Sequence, residues 1–198
     1  MNQKPLLLIV AGANGAGKTT LVNRYRKFIG NIPFINPDDI AKEFNSSYDG
    51  RDNILILKAS KEALLRQQQM LRDRKSFGFE TTFSGNRELK IMKKALLLGY
   101  DVRLVYIGLN SIIQNIKRVE TRVQIGGHFV PSDIIARRYI KSMNNLVEGV
   151  KIASKTYIFD NSKKYHKQVG KLNKNGWIVL KKNQIPKWLR LYCSDIVE

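Results

Sequence analysis

Residues 12–20, Gly12-Ala13-Asn14-Gly15-Ala16-Gly17-Lys18-Thr19-Thr20, carry the plainest chemistry in the chain. Gly12 to Thr19 fit the spacing G-x-x-x-x-G-K-[ST] throughout. Glycines at these positions let backbone N–H groups turn inward and wrap phosphate oxygens with no Cβ in the way. A helix starting near Lys18 aims its positive end at the same point. Lys18 then reaches the β- and γ-phosphates, and the Thr19 hydroxyl ligates Mg²⁺. The expected occupant of the loop is a nucleoside triphosphate, with Thr20 in the same binding set.

Such a loop binds but does not choose a reaction, so the ends of the neighbouring strands matter. Asn36-Pro37-Asp38-Asp39 and Glu80-Thr81-Thr82 each place carboxylates there. A kinase needs a carboxylate to take the proton from the attacking hydroxyl. Asp38, nearest its strand end, is the expected base, and Asp39 reads as a helix-start acid. Glu80 either orients substrate or supports the metal, and Thr82 offers a substrate hydroxyl contact. Positive charge for the transferring group is available from Arg118 and Arg122, four apart on one helix face, and from Arg137 and Arg138 beyond the Gly126-Gly127 break. Two arginine-bearing helices around a glycine pair read as a lid over residues 111–148. His128 reads as a loop residue, and the two histidines form no metal-ligand cluster.

The elements that must position these groups alternate between strand-like and helix-like runs, the pattern of an α/β protein with a mostly parallel sheet. Strands are expected at 6–11, 32–36, 76–80, 101–109 and 156–160. Helices are expected at 18–28, 37–44, 52–72 (apolar stripe Ile54, Leu57, Leu64, Leu71), 88–98, 111–125 and 132–147. The last of these is read as capped by Ser132, with stripe Ile135, Tyr139, Met143 and Leu146. Residues 165–182 read as a hairpin about Asn175-Gly176, and 186–196 as a short amphipathic helix. The expectation is a three-layer fold with about five parallel strands and a small basic hairpin and helix over 163–198. The whole of 1–198 is read as one domain.

The chain carries 35 Lys+Arg against 16 Asp+Glu, a net charge of +19. Such a field attracts polyanions, so nucleic acid and acidic proteins stay open as partners. Residues 151–198 hold 11 Lys+Arg and 3 Asp+Glu, mostly alternating with apolar residues as on a solvated sheet face. The single cysteine, Cys193, excludes an internal disulfide and fits a cytoplasmic protein. No apolar run approaches the roughly 18 residues of a bilayer span, so no membrane is expected.

Five stretches together, "LLLIVAGANGAGKTT", "FINPDDIAKEF", "SFGFETTFSG", "RVETRVQIGGHFVPSDIIARRY" and "FDNS", resemble the zeta toxin family, in particular its short single-domain bacterial members. The likeness runs over about residues 5–162. It implies a P-loop kinase fold and ATP- or GTP-dependent phosphorylation of a sugar hydroxyl on UDP-N-acetylglucosamine. Asp38 matches the family's catalytic aspartate; Lys18 and Thr19 match its phosphate and Mg²⁺ contacts. Glu80 and Thr82 fall where the longer toxins hold the sugar nucleotide. Arg118, Arg122, Arg137 and Arg138 lie in the region of its phosphate-binding arginines. One departure stands out: the longer members follow their acid-glycine-threonine-leucine with an arginine, whereas Glu80-Thr81-Thr82-Phe83 is followed by Ser84. No fused antitoxin bundle is evident, so an antitoxin would be a separate, acidic chain. The alternative left open by the charge is a nucleic-acid-directed kinase or nucleic-acid-stimulated ATPase.

Overall fold

A computed structural model describes residues 4–29, 32–49, 52–180 and 182–197. Strand β1 (Leu6–Ala11) is a continuous apolar run because both its faces are covered. It leads through the phosphate loop into helix α1 (Lys18–Ile29). Next come β2 (Phe34–Ile35), α2 (Pro37–Phe44), α3 (Asn53–Arg72), β3 (Phe77–Thr81) and α4 (Asn86–Leu97). The chain continues as β4 (Asp101–Gly108), α5 (Ile112–Gln124), α6 (Ser132–Ile152), β5 (Lys155–Asp160), β6 (Lys167–Asn173), β7 (Gly176–Leu180) and α7 (Lys187–Tyr192).

Among the described residues seven strands form one sheet in the order β2-β3-β1-β4-β5-β6-β7. The first five are parallel, and β6 and β7 run antiparallel. The expected hairpin therefore extends the sheet rather than standing beside it: β6 pairs with β5 from Lys155↔Asn173 to Asp160↔Lys167. Period-two alternation along β1 assigns each side chain to a layer. Leu7 and Ile9 face the larger core with α3, α4, α6 and α7, whereas Leu8 and Val10 face α1.

Side chains close several helix starts as their types require. The Asn36 carboxamide accepts from the Asp38 N–H, Asp52 accepts from Ile54 and Leu55, and Ser111 accepts from Gln114. Two helices depart from expectation. Ser132 lies inside α6, whose cap position is Pro131 with no side-chain bond. That helix runs five residues past Val147 because Leu146, Gly149 and Ile152 continue its buried face. In α3 the buried face is Ala59, Ala63, Gln67 and Leu71. Of the expected stripe only Leu71 is inside; Ile54 and Leu57 are 81% and 63% exposed. Ala59 and Ala63 take the inner face there, beside Leu55, Ile56, Met70 and Leu71, which leaves Ile54, Leu57 and Leu65 outside.

Trp188 on α7 is fully buried and locks the end of the sheet, its indole N–H donating to Asp160 Oδ1 at 3.0 Å. It lies against the bare backbone of Gly108, where a Cβ would stand 2.3 Å from ring atoms. Gly108→Ala should therefore destabilise the protein by about 2–3 kcal/mol through overpacking. The expected result is a lower urea midpoint at unchanged m-value; a midpoint equal to the native one would refute this packing.

Candidate active site

Three of the loop's glycines are bare because three different elements press on them. A Cβ at Gly12 would stand 2.3 Å from the Ile107 carbonyl oxygen of β4, and one at Gly15 2.6 Å from that of Asn115 on α5. At Gly17 it would stand 2.5 Å from the Asn161 carboxamide beyond β5. All three also have positive φ, at 149°, 76° and 93°.

The loop's carbonyls are held from outside. Lys18 Nζ donates to Gly12 O at 2.8 Å and to Ala13 O at 3.2 Å. Asn115 Nδ2 donates to Asn14 O, and Asn161 Nδ2 to Ala16 O at 2.9 Å. His166 Nε2 lies 3.0 Å from Gly17 O. With the carbonyls occupied, the loop's N–H groups are what it has left to offer an anion. Beside them lies a cavity of about 360 Å³, lined in part by Thr19, Thr20, Arg24, Arg118, Arg122 and Lys164. A larger cleft of about 600 Å³, around Lys4, Tyr100, Asp101 and Arg103, shares none of these residues.

Adjacent parallel strands set the carboxylates. Val10↔Glu80 is a register pair of β1 and β3, so Glu80 emerges beside the loop. Its Oε2 accepts from Thr19 Oγ1 at 3.0 Å. Burial raises the Glu80 pKa, with Asp38 and Asp39 adding to the rise and Lys18 and the Thr19 hydrogen bond opposing it. Asp38 itself stands exposed in the first turn of α2, open to an acceptor. Thr82 lies just past β3 with its hydroxyl 2.9 Å from that of Ser84.

The four arginines divide. Arg118 and Arg122 both line the cavity, as their spacing predicts. Arg118 donates to Asn161 O at 2.7 Å, and Arg122 to His128 O at 2.9 Å. Arg138 reaches the loop through Asn14 Oδ1 at 3.4 Å. Arg137 is exposed and makes no hydrogen bond or ion pair among the described residues, so the structure does not bring it to the loop. The lid expectation over 111–148 also narrows. Tyr139, Met143 and Leu146 anchor most of α6 in the main core, and only α5 and the start of α6 share the separate cluster Val119, Val130 and Ile135. A fully buried Tyr139 whose hydroxyl donates to Leu109 O does not swing with a flap.

Asn115, Asn161, His166, Arg24 and Lys164 join the site without having been singled out by residue type. Asn161 sat within the "FDNS" stretch. His166 and Lys164 were hidden in the basic tail, which β6 brings back to the loop. His166 titrates below its ordinary range through burial, reinforced by Arg24 and Arg118. Among the described residues no three His, Cys, Asp or Glu side chains gather as a metal site, and no helix is long and apolar enough to cross a membrane.

A parallel sheet with a phosphate loop after its first strand, carboxylates at the ends of β2 and β3, and cations from α5 and α6 defines a P-loop kinase. The family model for zeta toxin matches residues 1–171, and the chain belongs to the zeta toxin family. An uncharacterized protein of Haemophilus influenzae is 32% identical over 132 residues, 67% of this chain and 91% of that protein. Similar folds occur in the PezAT chromosomal toxin-antitoxin system of Streptococcus pneumoniae and in the AvrRxo1-ORF1:-ORF2 complex with ATP. The first has a TM-score of 0.59 at 20% identity, covering 86% of this chain and 72% of that one. The second has a TM-score of 0.69 at 16% identity, covering 100% of this chain and 64% of that one. This chain thus spans less than two thirds of the AvrRxo1-complex chain it matches.

Burial holds the Lys18 ammonium down to a pKa of about 8, with Arg122 and Arg138 reinforcing and Glu80 opposing. A charge disfavoured in the ligand-free fold destabilises it. Lys18→Met should therefore stabilise the protein without nucleotide by about 1–2 kcal/mol, read as a higher melting temperature, while shrinking but not abolishing the rise that nucleotide produces. Because bound phosphates favour the ammonium, native affinity is full below about pH 8 and falls as pH rises through that value. Calorimetric titrations from pH 7 to 9.5 should show this decline in the native protein and none in Lys18→Met.

Proposed function

We propose that the chain moves the γ-phosphate of ATP or GTP, with Mg²⁺, to a hydroxyl of a small acceptor of the UDP-N-acetyl sugar class. The observation that carries this reading is the Thr19–Glu80 contact beside Lys18, with Asp38 exposed in the first turn of α2. The residues fit the metal. Thr19 Oγ1 and Glu80 Oε2, 3.0 Å apart, are oxygen donors of the kind Mg²⁺ takes. Mg²⁺ bound there would neutralise charge on the phosphate oxygens.

Each residue then has a task. Backbone N–H groups of the loop, apart from that of Ala16, which donates to Ala13 O, cradle the β-phosphate, with Thr20 beside them. Lys18 leaves the Gly12 and Ala13 carbonyls for the phosphates, which favour its ammonium. Arg118 and Arg122 face the same cavity from α5 and meet the charge that develops on the transferring group. Arg138 holds Asn14 and adds to the local field, and Arg137 can join only from the exposed face of α6. Asp38 accepts the proton of the attacking hydroxyl, while Glu80 and Thr82 orient the acceptor from β3.

Family membership and the charge of +19 support an acidic antitoxin as a separate partner chain. Dependence on nucleoside triphosphate and a single unpaired, buried Cys193 favour a cytoplasmic setting.

The test is transfer of γ-labelled ATP or GTP to UDP-N-acetylglucosamine, other nucleotide sugars, nucleosides and oligonucleotides offered in parallel. Label should appear on a nucleotide sugar. Asp38→Asn should lower that rate by a factor of about 10²–10⁴ at unchanged nucleotide affinity; an unchanged rate removes Asp38 as base. Label on the oligonucleotide, or hydrolysis rising only with nucleic acid, would favour the nucleic-acid enzyme instead.

A further inference from the structure

The outer face of α3 carries an apolar stripe that the core does not use. Ile54, Leu57, Lys61, Leu64 and Gln68 recur at intervals of three and four, the spacing of a coiled-coil seam. Ile54 is 81% exposed, Leu57 63% and the adjacent Leu65 58%. Single exposed leucines are ordinary on protein surfaces, but an aligned row on one helix is not. Toward α4 the stripe runs into a groove of about 260 Å³. Leu64, Leu71 and Ile91 supply the groove's apolar lining, and Arg72, Arg87, Lys90 and Lys94 supply its charge. No acidic residue lines it. Arg87 is held by Gln67 and Glu88 and Arg72 donates to Gln69, which leaves Lys90 and Lys94 as the groove's available cations, with exposed Lys61 on the stripe and Lys58 beside it over the Phe44 ring.

We propose that this face seats an amphipathic helix of a separate protein, whose apolar stripe is flanked by acidic residues. Charge decides the occupant. A second copy in a two-fold contact would set Lys61 and the groove's cations against themselves in a chain of net charge +19. Nucleic acid would take the cations but leave the aliphatic row without a stacking partner. An acidic helix satisfies both the row and its border. This surface goes beyond the kinase reading, since none of its residues lines the phosphate cavity.

Two synthetic helical peptides with the same leucine heptad, one flanked by glutamate and one by lysine, test it against the full chain. The glutamate peptide should bind at least tenfold tighter in fluorescence anisotropy and weaken with salt. It should protect the amides of α3 and α4 from hydrogen exchange. Ile54→Lys with Leu57→Lys should weaken binding at least tenfold. Because both positions are exposed, melting temperature and nucleotide affinity should stay unchanged, which separates failure of the surface from failure of the fold or of the kinase site. Lys90→Glu with Lys94→Glu should weaken the glutamate peptide and favour the lysine one. No binding of the glutamate peptide at 100 µM, equal binding of both peptides, or indifference to the apolar variant would overturn the proposal. So would protection confined to the phosphate loop, or a dimer in sedimentation that the apolar variant dissolves.

Discussion

Everything at the site depends on the carbonyls of Gly12, Ala13, Asn14, Ala16 and Gly17 being held. A glycine-rich loop has no intrinsic preference for one conformation, and fixing each backbone residue costs about 1–2 kcal/mol of entropy. The compensation comes from well-separated parts of the chain. Asn115 on α5 holds Asn14, Asn161 beyond β5 holds Ala16, and His166 before β6 meets Gly17. The separations in sequence, 101, 145 and 149 residues, mean that the loop takes its shape only when the sheet is complete. This also gives the C-terminal strands a role. Pairing of β6 to β5 brings His166 and Lys164 back to the loop, so a segment that looks like a solvated appendage closes the phosphate site.

Local rules with a fixed spacing could be read before any coordinates. Gly12 to Thr19 has one physical use, and β1 announces itself as an unbroken apolar run. Asp38, Glu80, Arg118 and Arg122 could be named because a parallel sheet delivers its strand ends to one side, and because residues four apart share a helix face. The misread elements are those where tertiary packing chose between equal local options. The stripe Ile54, Leu57, Leu64 and Leu71 and the stripe Ala59, Ala63 and Leu71 both have helical period, and hydrophobicity favours the first. Packing of α3 against the core favours the second, with Ala59 and Ala63 inside. The hairpin's place at the sheet edge, and the narrowing of the lid once α6 is anchored by Tyr139, likewise depend on partners distant in the chain. Asn161 and His166 escaped for the same reason: a residue that holds a loop by its carbonyls has no motif of its own.

Like charges crowd the phosphate site. Lys18 is half-buried with Arg122 and Arg138 near it, and Arg24, Arg118 and Lys164 ring the same cavity. Glu80 is the carboxylate that answers Lys18, but burial and the charges of Asp38 and Asp39 weaken its hold on the ionised state. A polyanion with a divalent cation would relieve both strains at once. Phosphates would satisfy the cations, and Glu80 and the Thr19 hydroxyl would hold the metal. The field that stabilises the bound ligand is therefore the one that destabilises its absence, and binding affinity and ligand-free stability are set against each other by the same side chains.

The surplus charge obeys a different logic. Few of the 35 basic residues line the phosphate cavity, and several of the rest cover apolar surface. Lys171 lies 5.4 Å over the Tyr157 ring, and Lys58 5.1 Å over Phe44. Such stems shield apolar area while their ammonium groups stay hydrated, so a basic surface need not imply a nucleic-acid track. Where cations instead border exposed aliphatic side chains, as along α3 and α4, solvation does not account for the arrangement. The apolar row asks for burial and the cations around it fix the sign of what buries it. Net charge alone named no partner; charge placed around an exposed apolar row does.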